Sequence, residues 1–276
     1  MLAALIVVFR EVFEAALIAG IILAVTRGVP HRGWWVAGGV AGGAFGACLV
    51  ALFTAELSQA FEGVGQELFN AAILGLAAVM LTWHNVWMAR HGRELAAEMR
   101  AAGEAVASGA KSLLGLTIVV GVAVLREGVE VVLFLYGILA ADAGGGFSVF
   151  IGGLVGLGLG GAVGALAYFG LLRIPSRHLF AVTSVMIAFL AAGMALQATA
   201  FLEQANAVTA LGATVWDTSR YLPDSSMLGR ALRTLIGYSD RPTAMELVVY
   251  LVTLAVIFTL MRLLSPPPSV RPARAH

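Results

Sequence analysis

Leu125-Arg-Glu-Gly-Val-Glu-Val-Val-Leu-Phe-Leu-Tyr-Gly-Ile-Leu-Ala140 sets three charges, Arg126, Glu127 and Glu130, in a run that is otherwise almost wholly apolar. The arrangement has a counterpart near the beginning. From Phe9 to Val25 the only charges are Arg10, Glu11 and Glu14, and Arg10 stands 116 residues before Arg126. On an α-helix, residues three and four apart share a face. Each pair of glutamates therefore points one way, and each arginine can reach the second glutamate of its own triad. One charge at the centre of a bilayer costs about 2.5–3.5 kcal/mol on insertion scales. Six amount to roughly 15–20 kcal/mol unless they are paired and turned inward.

The surrounding composition makes lipid the relevant solvent. The 276 residues are 60% hydrophobic and 12% charged, where a soluble domain carries about a quarter charged residues; mean hydropathy is +0.92. A net charge of +1 points to no nucleic-acid partner, and the single Cys48 excludes both a disulfide framework and a multi-cysteine metal site. The first residues lack a basic leader and carry Arg10, Glu11 and Glu14 inside the apolar stretch, so they do not read as a signal peptide.

About 20 apolar residues cross a bilayer, and seven such runs are expected: roughly Leu2–Thr26, Trp34–Ala55, Glu67–Ala89, Leu113–Ala140, Phe147–Leu172, Leu179–Leu202 and Ala244–Leu264. The connections alternate in charge except for the sixth, Glu203–Thr243, which carries four arginines on the outer side but is long enough for the charge rule to weaken there. Arg27 and Arg32, then Arg90, Arg93, Arg100 and Lys111, then Arg173 and Arg177, and finally Arg271 and Arg274 fall on one side; Glu56, Glu62 and Asp142 fall on the other. The bias of basic loops toward the cytoplasm puts the N-terminus outside and the C-terminus inside. The expected organisation is a single all-α membrane domain, 1–264, followed by a disordered cytoplasmic tail, 265–276. Within the domain lie a first three-helix repeat (1–89), a solvated polar connector on the cytoplasmic side (90–112) that reads as an alanine-rich helix, a second three-helix repeat (113–203), an external loop (204–243) and a seventh helix (244–264). Glycines in spans two and five belong to the same duplication, with Gly42 matching Gly158 at the 116-residue offset, and small residues let helices approach closely in lipid.

Three is odd, so the second repeat is inverted in the membrane, an architecture that places a binding site where the repeats meet. Spans one and four then bring Glu11, Glu14, Glu127 and Glu130 to one point. Four carboxylates repel one another unless something positive lies between them. Arg10 and Arg126 compensate in part and leave a formal −2, which a hard multivalent cation would balance.

These residues resemble the oxidase-dependent iron permease family, which includes the high-affinity iron permease of fungi and the bacterial permease of Efe-type ferrous-iron systems. The resemblance covers nearly the whole chain. It rests on the two Arg-Glu-x-x-Glu motifs and on Phe61-Glu62-Gly63, similar to the family's Glu-Gly element. Trp216-Asp217-Thr218-Ser219, Asp224-Ser225-Ser226, Gly229 and Gly237-Tyr238 are similar to its signature before the last span, and Glu246 and Tyr250 match family positions. The resemblance implies that Glu11, Glu14, Glu127 and Glu130 bind iron during translocation with Arg10 and Arg126 as partners. It implies inward movement of Fe3+, or Fe2+ after coupled oxidation, with no tightly bound cofactor, and an external oxidase or iron-binding protein that delivers ferric ion. Val12 departs from the family, whose motif carries glycine there as Gly128 does in the second copy, so the two halves are expected to differ in how closely their backbones approach.

Further residues have plainer alternatives. Glu62 is a candidate for an outer funnel that concentrates cations. Asp217 and Asp224 could accept iron from a partner, although Asp-Ser pairs also build turns and caps. Glu246 reads as an outer-mouth group or a partner for Arg241. His84 reads as a packed interfacial histidine before a proton shuttle, Cys48 as a small core residue, and Trp34-Trp35 as an interfacial anchor. Two other functions fit parts of the pattern. A transporter of another divalent cation, such as manganese or lead, needs no different residues. A glutamate-dependent intramembrane protease would need membrane histidines to activate water, and only His84 falls within a span.

Overall fold

The computed structural model describes residues 1–60, 66–110, 112–141, 146–170 and 176–264. Glu62 and the tail 265–276 lie outside them. The described residues form eight helices: α1 (Leu2–Val25), α2 (Arg32–Ala60), α3 (Gln66–Ala107), α4 (Leu113–Ala141), α5 (Gly146–Tyr168), α6 (Ser176–Gln204), α7 (Met227–Ile236) and α8 (Ala244–Leu264). Helices suit this composition because a chain in lipid must satisfy its backbone hydrogen bonds internally. Five of them, α2, α3, α5, α6 and α8, contain stretches long and apolar enough to cross a membrane. Helices α1 and α4 match them in length, with 24 and 29 residues, and each carries one charged triad. Large apolar side chains cover the outside, among them Phe45 and Phe53 on α2, Leu76, Val79 and Trp83 on α3, and Leu251 and Leu263 on α8.

Helix pairing has a repeating pattern. α1 packs along α5 as α4 packs along α2, while α3 packs on α6 and α8 lies against α6 and α3. Exchanging the first three helices with the next three leaves this pattern unchanged. Glycine seams make the close pairs possible. A Cβ on Gly39 or Gly43 would lie 2.7 or 2.6 Å from the carbonyl oxygens of Thr117 and Gly121 on α4. A Cβ on Gly156 or Gly160 would lie 2.6 or 2.7 Å from those of Leu5 and Phe9 on α1. A Cβ on Gly152 would likewise meet the Met1 carbonyl, and Met1 and Leu5 stand 116 residues before Thr117 and Gly121, so the seam glycines correspond as Gly39 to Gly152 and Gly43 to Gly156. By that correspondence Gly42 falls opposite Val155, which corrects the matching of Gly42 with Gly158; Gly42, Gly158 and Gly161 have nothing within 4 Å.

The departure at Val12 is offset on the neighbouring helix. Val12 faces Gly160, whereas Gly128 faces Ala47, whose Cβ would be 2.5 Å from one built on Gly128. The glycine has changed helices, and both interfaces stay thin.

Two apolar clusters flank the charged layer. One gathers Ala3, Ala4 and Val7 of α1, Leu74, Ala77 and Leu81 of α3, Phe134 and Ile138 of α4, and Ile187 and Ala191 of α6. The other gathers Ile18 and Ile22 of α1, Val36, Val106, Leu116 and Val120. Along α1 the order is first cluster, triad, second cluster; along α4 it is the reverse, so the two helices run in opposite directions.

The connector is helical, as its alanine-rich sequence implies, but differs from expectation in its burial. α3 continues unbroken to Ala107, and its second half is not simply solvated: Val106 is buried in the second cluster, with Met99 against it. Gly103 lies against the end of α1, where a Cβ would be 3.3 Å from Val25 Cβ. Cys48 is exposed on α2 instead of lying in the core, and Trp34 is exposed, as a membrane-interface anchor should be. The loop before α8 contains a helix that was not expected, α7, capped by the Ser226 hydroxyl at Gly229 N and ended by Gly237 in the left-handed conformation. Gly237 sits against Gly193 of α6, where a Cβ on Gly193 would be 3.0 Å away, so this loop folds back onto the bundle.

Candidate metal centre

Both triads fold as their spacing dictates. Arg10 Nε donates to Glu14 Oε1 at 2.8 Å, and Arg126 Nε donates to Glu130 Oε1 at 3.2 Å. The two copies differ in exposure. Arg10, Glu11 and Glu14 are fully buried, whereas Arg126 is 39% exposed, with its guanidinium 4.2 Å from the centre of the Trp87 ring.

Between the triads stands His84. Its Nε2 lies 3.6 Å from Glu11 Oε2 and 3.8 Å from Glu14 Oε2, and its Nδ1 lies against the Glu130 carboxylate. One imidazole thus touches carboxylates from both halves. The helix period explains how it gets there: Leu74, Ala77, Ala78, Leu81, His84 and Asn85 form the buried stripe of α3, and Leu76, Val79 and Trp83 the outer one. Reading His84 as mere packing misses this. The signal was present in the sequence as a polar His84-Asn85 pair continuing an apolar stripe. Asn85 Nδ2 donates to the Ser184 carbonyl at 2.9 Å and ties that stripe to α6.

Glu11, His84, Glu127 and Glu130 each offer a ligand atom, and the four atoms lie within 4.8 Å of one another. Ligands on opposite sides of an ion, each about 2.0–2.6 Å from it, span a similar distance. The fourth expected carboxylate, Glu14, stands beside this quartet with one oxygen held by Arg10. Hydrogen bonding is incomplete in a telling way. Among the described residues, Arg10 Nη1, both oxygens of Glu11, one each of Glu14 and Glu127, His84 Nε2 and Asn85 Oδ1 are buried without a hydrogen-bond partner, while His84 Nδ1 and Glu130 are paired with each other. Each such atom costs about 1–3 kcal/mol, and a cation would engage several at once.

The remaining candidates are placed apart from this centre and have local partners. Asp217 accepts from the Ser219 hydroxyl at 2.6 Å and the Ser219 backbone N–H at 3.1 Å, and pairs with Arg241 at 3.1 Å. Those hydrogen bonds, joined by Arg241, hold its carboxyl below the usual range. Asp224 and Asp240 each receive the other's backbone N–H, at 3.1 and 3.0 Å, and burial beside Asp240 pushes the Asp224 carboxyl up. Glu246 closes a capping box at the start of α8: its N–H donates to Thr243 Oγ1 at 3.1 Å and its carboxylate accepts from Thr243 N at 3.3 Å. Arg241 pairs with Asp217, which corrects its expected pairing with Glu246.

A bundle of membrane-type helices with a buried carboxylate–imidazole cluster between paired copies of one motif is the framework of an ion transporter. The chain belongs to the iron permease FTR1 family, whose model matches residues 1–265. It is 31% identical over 262 residues to the ferrous iron permease EfeU of Escherichia coli O6:H1, covering 92% of this chain and 94% of that one. It is 31% identical over 253 residues to the ferrous iron permease EfeU of Yersinia pestis, covering 90% and 88%. No solved structure matches it. It is a multi-pass cell-membrane protein, and its homologues are permeases, not enzymes.

Proposed function

We propose that this chain moves iron inward across a bacterial inner membrane, with Glu11, Glu14, Glu127 and Glu130 as the carboxylates through which the ion passes and Arg10 and Arg126 as their ion-pair partners. Seven helices, α1 to α6 and α8, cross the membrane in this reading, the N-terminus outside and the C-terminus inside, and α4 to α6 repeat α1 to α3 upside down. The reading is carried by one observation: the two triads converge on a set of buried oxygens and nitrogens that lack partners and lie at metal-binding distances. The apolar clusters above and below would keep that layer dry when the path is closed at both ends. An external oxidase or iron-binding protein would supply the ion. Asp217, Asp224 and Glu246 could take part in handover only by giving up their present contacts; Glu62, the other candidate, lies outside the described residues.

Radioactive iron uptake into proteoliposomes tests this, comparing the unaltered chain with Glu14→Ala and Glu127→Ala, with manganese and zinc as competitors. Loss of iron-selective uptake in both variants is expected. Normal uptake in both would make the triads structural ion pairs. Free displacement of iron by manganese would assign the path to another divalent cation.

A further inference from the structure

Resting on the proposed path, we infer that His84 is a direct metal ligand, and that it makes the centre selective for borderline divalent cations such as ferrous ion over calcium and magnesium. Three features of the geometry carry this. The ring is 96% buried, its relative exposure being 4%; Nδ1 is paired with Glu130, and Nε2 has no hydrogen-bond partner. A buried ring nitrogen that serves only packing would be expected to have one. The ring also points into the centre, with Nε2 facing α1 carboxylates and Nδ1 facing Glu130 of α4. Finally, the neighbouring Asn85 ties α3 to α6 through the Ser184 carbonyl, so the helix that carries His84 has an anchor outside both triads.

The chemistry follows from the donor set. Carboxylates alone suit magnesium, calcium and manganese, whereas imidazole suits iron, zinc, nickel and copper. A centre of three carboxylates and one imidazole shifts preference toward the borderline metals while still admitting manganese. Histidine ligands characteristically bind metal through one ring nitrogen and present the other to a carboxylate, which fixes the ring. Carboxylates on both edges of His84 allow that division of labour.

The test uses Mn2+ as a paramagnetic probe on the purified full-length chain in lipid nanodiscs. Pulsed electron spin resonance is expected to show 14N modulation of bound Mn2+ that converts to the 15N pattern when histidine is isotopically labelled, a result that needs no variant. The modulation should vanish in His84→Gln and persist in His91→Gln. His84→Gln should also weaken Mn2+ binding by roughly tenfold or more, as loss of a directly bound group must exceed the effect of a supporting one, and should narrow the preference for Mn2+ over Ca2+. Mn2+ that binds in a Glu127-dependent way without any nitrogen modulation would refute the role of His84 and leave the carboxylate path intact. Mn2+ binding indifferent to Glu127→Gln, or no binding at all, would overturn the path and this inference together.

Discussion

Replacing Gly128 by valine sets the side chain that α1 already carries at Val12 into the equivalent place on α4. A Cβ at Gly128 would be 2.5 Å from Ala47 Cβ, whereas nonbonded carbons settle at about 3.5–4.0 Å. Helices α2 and α4 must therefore separate by about 1 Å or more. That loosens the neighbouring close contacts at Gly39 and Gly43 and shifts Glu127 relative to Glu11. Overpacking of this kind costs about 1–3 kcal/mol, and for a chain of this size each 1 kcal/mol lowers the melting temperature by about 2–4 °C. The interface between α1 and α5 indicates the remedy, because there the valine faces Gly160. Ala47→Gly alone should cost up to about 1 kcal/mol of helix propensity. Combined with Gly128→Val, it should remove most of the clash, so that the double variant is more stable than the two single losses summed. Thermal unfolding in detergent gives the four melting temperatures, and iron uptake reports whether the centre has been restored. A double variant whose loss equals the sum of the singles, to within about 0.5 kcal/mol, would refute the account of the seam as a compensated exchange.

Gly43→Ala should sharply destabilise the protein, since its Cβ would meet the Gly121 carbonyl at 2.6 Å, whereas Gly42→Ala, with nothing within 4 Å, should be neutral or slightly stabilising by thermal unfolding. Thr243→Ala should cost about 1 kcal/mol through loss of the α8 cap. Glu246→Gln keeps a side chain that can close the same capping box and should leave both stability and uptake near normal; lost uptake with unchanged stability would show instead that Glu246 handles the ion. Gly237→Ala, at φ +69° with the Tyr250 ring 2.6 Å from the added carbon, should lower the melting temperature through both backbone strain and collision. Unaltered melting there would show that the fold-back of the loop onto Gly193 contributes little.

Much of this architecture can be read from the chain because lipid leaves it few alternatives. Apolar runs of spanning length must be helices, and charges within them must find each other, so the triads and their internal Arg–Glu pairs follow from spacing alone. The seam glycines show where such reading stops. Gly39, Gly42 and Gly43 are equivalent in composition, and only the crossing of α2 with α4 decides that Gly39 and Gly43 carry the contact while Gly42 faces outward. His84 was harder to place for a related reason. Its neighbours in sequence identify a helix, but which side of α3 faces the triads depends on the positions of three other helices. Loop acids such as Asp217 and Asp224 read as candidates because their partners, Arg241 and Asp240, lie 24 and 16 residues further on, across a fold that periodicity does not report.

The unbroken length of α3 has a mechanical side. From His84 to Gly103 is nineteen residues of one continuous helix, about 28 Å at 1.5 Å per residue. One end of that rod touches the carboxylates of both halves, and the other rests on Val25 at the end of α1. A tilt of only about 2° around His84 moves the Gly103 end by about 1 Å, given that length. That is enough to turn the snug contact with Val25 into either a gap or a collision. A slight tilt about the centre would thus become a step of packing size at the far end of α3.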